Sequence, residues 1–356
     1  MLFQIYNNLK NHLKDAPLKW LIKVSTWCVL LFILFIVLFK VTEEVSWEES
    51  LWQAWQTFTT VGYGNQPAQT SAGRFVTMLI STLGIAFVGA LFSAAFDYKQ
   101  HLRNLKTTGQ MKNPFKNGYV IFNFPGVATA LSLVRELRAV EQNVGICIVD
   151  SRLEQLPGAI TNLPNIHFVK GDTIRRETYE MAKIDENKVV LIFPIDRNAS
   201  ESDAATKVIV DLVSRFVSNT KTRIIHVLVD SANGWMFEGT DATHIISDLE
   251  ILAIVQESQD PYSAEIIETL LQNTSGANPQ TFKPTKTKGW TWGQLAERCI
   301  ATSQRTGISC NLFALVQDGE NMTCPNFDIV IKEDALLSII AFNDFDWQNF
   351  ENEMLK

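Results

Sequence analysis

From Phe75 to Phe96 the chain runs for 22 residues without a charged side chain, bracketed by Arg74 and Asp97. Coiled as a helix, that stretch reaches roughly 33 Å, enough to cross the hydrocarbon of a bilayer. A second apolar run, Trp20 to Val41, has Lys23 and Lys40 as its only cations, each close enough to one end to snorkel. A signal peptide is the competing reading of this first run. Its apolar stretch is too long for one, and no small-residue cleavage site follows, so it reads as a retained anchor. Two crossings with a loop between them constrain every later inference, because a lipid-facing segment must satisfy its own backbone.

Charge gives the orientation. Residues 1–117 carry 11 Lys/Arg and 6 Asp/Glu, and the remainder carries 20 and 32, so a net +5 front joins a net −12 back. Lys10, Lys14, Lys19 and Lys23 precede or open the first span, and Lys99, Arg103, Lys106, Lys112 and Lys116 follow the second. Glu43, Glu44, Glu48 and Glu49 lie between the spans. The positive-inside bias predicts both termini in the cytosol, with the loop outside, in a plasma (inner) membrane. Leu2, Ile5, Leu9 and Leu13 fall at helical spacing, which fits either a short helix on the bilayer surface or a frayed polar terminus. The soluble half has no basic tract, which argues against nucleic acid as a partner. Five cysteines, Cys28, Cys147, Cys299, Cys310 and Cys324, show no paired spacing and read as plain buried thiols.

Between the spans, Glu48–Thr59 has the pattern of a short amphipathic helix with Leu51, Trp52, Trp55 and Phe58 on its apolar face, and Thr60-Val61-Gly62-Tyr63-Gly64 follows at once. This arrangement resembles the pore of two-transmembrane-helix prokaryotic potassium channels, whose signature filter the five residues match. The resemblance implies a homotetramer in which K⁺ sheds its water onto backbone oxygens of Thr60, Val61, Gly62 and Tyr63 and the Thr60 hydroxyl. Glycines at 62 and 64 permit the backbone angles that such a ribbon needs, and Tyr63 is expected to turn outward against Trp52 or Trp55. The family usually has an acid after the second glycine. Here Asn65 stands at the outer mouth, which implies a weaker anionic ring and altered slow closure of the filter.

On the second span, Gly89, Ser93 and Asp97 recur every four residues and share one face, with Ser93 and Asp97 as candidate pore-lining residues. Asp97 reads either as an acidic ring at the cytosolic entrance or as a helix-end carboxylate in the headgroup zone. Gly84 and Gly89 are the candidate hinge positions, with close helix packing as the alternative.

Beyond a polar linker (98–117), hydrophobic runs at Gly118–Asn123, Val144–Val149, Ile166–Val169, Lys188–Ile192 and Arg223–Val229 alternate with helical patterns. That order predicts a parallel sheet of Rossmann type. Attached to a two-span pore, the region resembles the domain called regulator of K⁺ conductance (RCK, TrkA-N/TrkA-C-like), through Gly171-Asp172 and Glu201-Ser202-Asp203. The expected fold is therefore an α-helical membrane pore domain followed by an α/β Rossmann-like domain and a small α+β C-terminal subdomain. The expected boundaries are an interfacial segment 1–19, pore 20–97 (helices 20–41, 48–59 and 75–97, filter 60–64), and linker 98–117. A Rossmann-like lobe 118–247, a helix–turn–helix 248–273 that clasps a neighbouring domain, and a subdomain 280–356 complete the chain. Met111 reads either as a plain linker residue or as the start of a separate soluble RCK copy.

The resemblance implies a small-molecule ligand. The dinucleotide fingerprint keeps one glycine of three in Asn123-Phe124-Pro125-Gly126-Val127-Ala128. Candidate contacts to ADP, ATP or NAD are Asn123, Phe124, Gly126, Asp150, Ser151, Arg152, Gly171 and Asp172; a lobe with no ligand there is the alternative. Glu201 and Asp203 are candidates for a divalent site such as Ca²⁺, but the strand positions that should add acids are Val227 and Val229. No constellation for hydride transfer is visible, so a membrane-tethered NAD enzyme is disfavoured. A nonselective cation channel is the nearer alternative.

Overall fold

The computed structural model describes residues 16–64, 67–217, 221–246 and 249–356, and the chain divides into two units, Met1–Thr107 and Thr108–Lys356. The interfacial reading of residues 1–15 lies outside the described residues.

The first unit is three helices: α1 (Ala16–Glu43), α2 (Trp47–Phe58) and α3 (Ser71–Thr107). Helices α1 and α3 are both long and apolar enough to cross a membrane. Phe35, Phe39, Ala54 and Ile80 are buried where the three helices meet, with Phe32 edge-on to Phe58 at 5.2 Å. A capping box starts α2: the Ser46 hydroxyl accepts from the Glu49 N–H, and the Glu49 carboxylate accepts from the Ser46 N–H. That reciprocal pair satisfies two donors that the helix itself cannot. The Glu43 carboxylate, closing α1, accepts from the N–H groups of Gln69 (2.8 Å) and Thr70 (3.1 Å) and from the Thr70 hydroxyl (2.8 Å). A Cβ at Gly73 would lie 1.8 Å from Glu43 Oε1, so this knot needs a glycine in the first turn of α3.

The expected helix end at Asp97 is corrected. Helix α3 continues to Thr107, and at 37 residues it is about 55 Å long, well beyond the hydrocarbon thickness. The missed segment is polar but rich in good helix formers and free of glycine and proline.

In the second unit, β1 (Tyr119–Phe122), α4 (Val127–Val140), β2 (Ile146–Asp150), α5 (Gly158–Thr161), β3 (Ile166–Lys170), α6 (Arg176–Ala182), β4 (Val189–Ile192), α7 (Ser202–Val217), β5 (Arg223–Leu228) and β6 (Thr243–Ile246) alternate. The strands form one sheet in the order β3-β2-β1-β4-β5-β6, every pair parallel. Strands β1 and β2 are almost wholly buried, as a sheet covered on both faces requires. Strand β6 was not anticipated, because Thr-His-Ile-Ile is short and follows a 3₁₀ turn at Ser231–Phe237.

The remainder of the expected linker is part of this lobe. The Lys170 N–H donates to the Gly109 carbonyl (2.9 Å), His167 Nε2 meets the Met111 carbonyl (2.9 Å), and Asn113 Nδ2 donates to the Ala182 carbonyl (2.8 Å).

Helices α8 (Leu249–Gln259) and α9 (Ser263–Leu271) form the expected helix–turn–helix. Strand β7 (Asn278–Phe282), helix α10 (Trp292–Thr306), strands β8 (Cys310–Gln317), β9 (Glu320–Thr323) and β10 (Leu336–Ala341), and helix α11 (Trp347–Met354) make the C-terminal lobe. Its sheet is antiparallel, ordered β7-β10-β8-β9. Glu351 on α11 is buried and accepts from the N–H groups of Thr285, Lys286 and Thr287.

Candidate ion-conducting site and Rossmann crevice

Helix α2 delivers the chain directly into Thr60–Gly64. The turn is fastened by its own carbonyls: the Thr60 N–H donates to Thr57, and the Val61 N–H (3.0 Å) and Gly62 N–H (3.4 Å) both donate to the Gln56 carbonyl. Gln56 was not singled out in the sequence; it is buried, and its backbone rather than its side chain does this work.

The backbone angles carry the chemistry. Thr60, Gly62 and Gly64 have φ of 59°, 58° and 68°, whereas Val61 and Tyr63 between them do not have positive φ. Alternation of this kind lets successive carbonyls face one side of the ribbon, instead of pointing to opposite sides as in a strand. Glycine takes positive φ without strain, and Thr60, being β-branched, does so at a cost. Tyr63 turns to Trp52 of α2, the rings stacked at 6.2 Å and 7° apart. Of the two expected partners, Trp52 is therefore the one in contact. A row of carbonyls on one side, braced by a ring on the other, is suited to coordinate a bare cation. Asn65 lies outside the described residues.

Further along α3, Gly89, Ser93 and Asp97 are exposed on the isolated chain. A Cβ at Gly89 would meet nothing within 4 Å, whereas one at Gly84 would touch the Phe58 ring at 3.4 Å. That is an ordinary van der Waals distance, so neither glycine is demanded by a clash within the chain, and α3 runs through both without interruption.

In the second unit the loops after β1, β2 and β4 converge at the carboxyl edge of the sheet, where the strand order reverses. Such a reversal is the usual position for a ligand crevice. Gly126 has φ 91° and opens α4, with nothing within 4 Å of a would-be Cβ. Asn123 has φ 62°, and its Nδ2 donates to the Phe193 carbonyl at 2.8 Å.

Asp150 is buried and already engaged. Its carboxylate accepts from the N–H groups of Phe124 (2.8 Å) and Arg152 (2.7 Å) and from the Arg152 guanidinium (2.6 Å). Burial pushes this carboxyl up, but the Arg152 side chain and the two N–H groups pull harder and hold it below the usual carboxylate range. Asp150, a candidate nucleotide contact, is therefore held by its own loop and by Arg152. Arg152 Nη1 also reaches the Ile195 carbonyl at 2.7 Å, so the arginine spans the crevice between the loops after β2 and β4. Ser151 is exposed beside it. Gly171 has a packing role, since a Cβ there would lie 2.5 Å from Thr178 Oγ1, and the Asp172 carboxylate accepts from the Ile174 N–H at 3.1 Å.

Of the candidate divalent pair, Asp203 is engaged by the protein itself. Asp203 is fully buried and accepts from the N–H groups of Val229 (2.8 Å) and Asp230 (3.0 Å) and from Asn233 Nδ2 (2.8 Å). It ties α7 to the end of β5, while Glu201 is exposed. Among the described residues, no group of three His, Cys, Asp or Glu side chains is placed to hold a metal ion.

Comparison with known proteins agrees with the first unit's architecture. Residues 26–100 match the family described as "Ion channel". A calcium-gated potassium channel, TvoK of Thermoplasma volcanium, is 26% identical over 66% of this chain and 66% of its own length. YugO of Bacillus subtilis, named provisionally as a potassium channel protein, is 28% identical over 52% of this chain and 55% of its own. The chain thus spans between about half and two thirds of the length of these curated relatives. A solved GsuK channel bound to NAD resembles 92% of this chain and 58% of that one, at 16% identity and a TM-score of 0.48. Residues 26–100 are thus similar to the ion channel family, and here they are joined to a Rossmann-type lobe and an antiparallel C-terminal lobe.

Proposed function

We propose that this chain is one subunit of a homotetrameric potassium channel, with Thr60–Gly64 as the filter and the second unit as a cytosolic regulator that binds a small ligand. The observation that carries the proposal is the alternating sign of φ from Thr60 to Gly64. One chain supplies one wall, so four must surround the axis. Potassium releases its hydration shell more easily than sodium, and carbonyls held apart by the Tyr63–Trp52 brace replace that shell for the larger ion. Ser93 and Asp97 then line the inner vestibule, with Gly84 and Gly89 as the hinge positions; among the described residues of one chain, nothing lies within 4 Å of a would-be Cβ at Gly89. The termini lie in the cytosol of a cell bounded by the plasma membrane.

A nucleotide is the favoured regulator. Arg152 offers a partly exposed cation inside a crevice of dinucleotide-binding topology, where a phosphate could draw it from Asp150 and Ile195. TvoK is named as calcium-gated, and calcium is the second reading; the Asp203 carboxylate, occupied by three N–H donors, does not favour that position. A separate soluble copy beginning at Met111 would keep the contact of its carbonyl with His167.

Reconstitution in liposomes tests the whole. Rubidium uptake driven by a potassium gradient and blocked by excess potassium, but not sodium, is the expected result. Equal passage of sodium would leave a nonselective cation channel. Adding ADP, ATP, NAD or calcium in turn then identifies the regulator, and Arg152→Ala should weaken the response to a nucleotide while leaving any response to calcium in place.

A further inference from the structure

Among the described cysteines, one pair meets. Cys299 sits on the inner face of α10 and Cys310 begins β8, eleven residues later, and their sulfurs are 3.7 Å apart. Both are free thiols, and both are buried. The turn between them brings this about: α10 ends at Gly307, whose φ of 75° reverses the chain, so β8 starts back along the helix. Cys299 and Cys310 match the reading as buried thiols, and only the exposed Cys324 and half-buried Cys28 depart from it; spacing in the sequence alone did not announce the pair.

Three features distinguish the contact from ordinary packing. The separation has only to fall from 3.7 Å to about 2.05 Å for a covalent bond. Cys310, though buried, borders a cavity of about 420 Å³ together with Ser303, Gly307, Ile308 and Ser309. The two sulfurs are also inequivalent. Cys299 can donate its S–H to the Cys310 sulfur, and the Ser303 hydroxyl lies 3.5 Å from the same atom. With Cys299 as the donor, these contacts hold the Cys310 thiol below its ordinary value, which favours Cys310 as the attacking sulfur. One attacking sulfur and one resolving sulfur is the arrangement a reversible thiol oxidation needs.

We propose that Cys299 and Cys310 form a reversible intrachain disulfide, a redox modification site in the C-terminal lobe that stitches α10 to β8. With a peroxide as oxidant, the Cys310 thiolate attacks one peroxide oxygen and the O–O bond breaks. The products are a sulfenic acid on Cys310 and, after protonation, one water. The Cys299 sulfur then attacks the Cys310 sulfur, the S–O bond breaks, and a second water leaves with the Cys299 proton. In sum, two thiols and one hydrogen peroxide give one disulfide and two waters. In a reducing cytosol the bond would be transient, which suits a sensor and not a structural staple.

The full-length protein in detergent provides the test, in a Cys324→Ser background that removes the exposed cysteine. After hydrogen peroxide, unfolding and alkylation, the titratable thiols should fall from four to two and return to four with dithiothreitol. Trypsin cleaves after Arg298, Arg305 and Lys332, so the disulfide should join the peptide Cys299–Arg305 to Thr306–Lys332. Cys299→Ser and Cys310→Ser should each abolish that joined peptide and leave the other cysteine alkylatable or oxygenated. Four thiols remaining after oxidant, oxygenation of Cys310 that dithiothreitol does not reverse in the otherwise intact pair, or a link joining two chains would each overturn the proposal.

Discussion

Replacing Gly62 by alanine isolates the contribution of backbone angle to the filter. Gly62 has φ 58°, and nothing lies within 4 Å of the point where a Cβ would stand. Within one chain the substitution therefore meets no clash, and its cost is conformational. An L-residue in the left-handed region costs about 1–2 kcal/mol. If four copies share one filter, the conducting form is disfavoured by about 4–8 kcal/mol. Each 1.4 kcal/mol is a factor of about ten, so the conducting population should drop by roughly three orders of magnitude even at the lower figure. The ribbon relieves the strain by turning the Gly62 peptide, which points its carbonyl away from the axis.

The assay is rubidium uptake into liposomes holding matched amounts of wild-type and Gly62→Ala protein, both eluting as the same oligomer. The matched elution matters, because the helices pack through Phe35, Phe39, Ala54 and Ile80 and make no use of Gly62. Uptake should fall to background in the variant. Wild-type uptake and unchanged preference for rubidium over sodium would refute the reasoning, since the angle at position 62 would then have no part in conduction.

Other consequences follow from side chains already described. Trp52→Ala removes a ring stack worth about 0.5–1.5 kcal/mol per chain, so the filter should lose preference for potassium over sodium in competition flux while the protein remains assembled. Asp203→Ala leaves the N–H groups of Val229 and Asp230 without their acceptor; about 3 kcal/mol of local stability should vanish, read as faster hydrogen exchange at these two amides. Glu351→Gln tests linkage to pH. Burial raises this carboxyl, but the Thr285, Thr287 and Lys286 donors outweigh it, so the folded value lies below the usual carboxylate range. Its stabilisation is then complete above the unfolded value of about 4.3 and fades as pH falls through the depressed folded value. The thermal-stability gap between wild type and Glu351→Gln should be widest at neutral pH and close in acid; a gap independent of pH would remove the carboxylate from the account.

Much of the fold was legible because its determinants are local. The spans declare themselves by the length of two apolar runs, and α2 by its amphipathic pattern from Glu48, although that pattern misses the Ser46–Glu49 capping box that starts it at Trp47. The five parallel strands of the expected sheet are short, apolar and separated by helical patterns, and such runs cannot be solvated except between two layers. Boundaries fared worse wherever hydropathy changed without a change in conformation. Helix α3 leaves its apolar run at Phe96 yet carries on to Thr107, because backbone hydrogen bonding continues as long as the residues tolerate it and the solvent outside is indifferent.

The functional side chains of the second unit show the opposite limit. Asp150, Asp203 and Cys310 each have the residue type that a ligand site requires, and in each case occupancy is decided by a group that sequence spacing does not reveal. Arg152 is only two residues from Asp150, but its second hydrogen bond, to Ile195, exists because β4 lies on the far side of β1 in the sheet. Asp203 loses its capacity for a cation to amides that arrive 26 and 27 residues later, at the end of β5. Cys310 acquires a partner because Gly307 turns the chain back on α10. An acid or thiol in a motif is therefore a statement about supply, and the packing of neighbouring strands decides demand. The proposed filter escapes this limit since its ligands would be backbone carbonyls, set by a ribbon that alternates the sign of φ and is braced by Trp52 of the preceding helix.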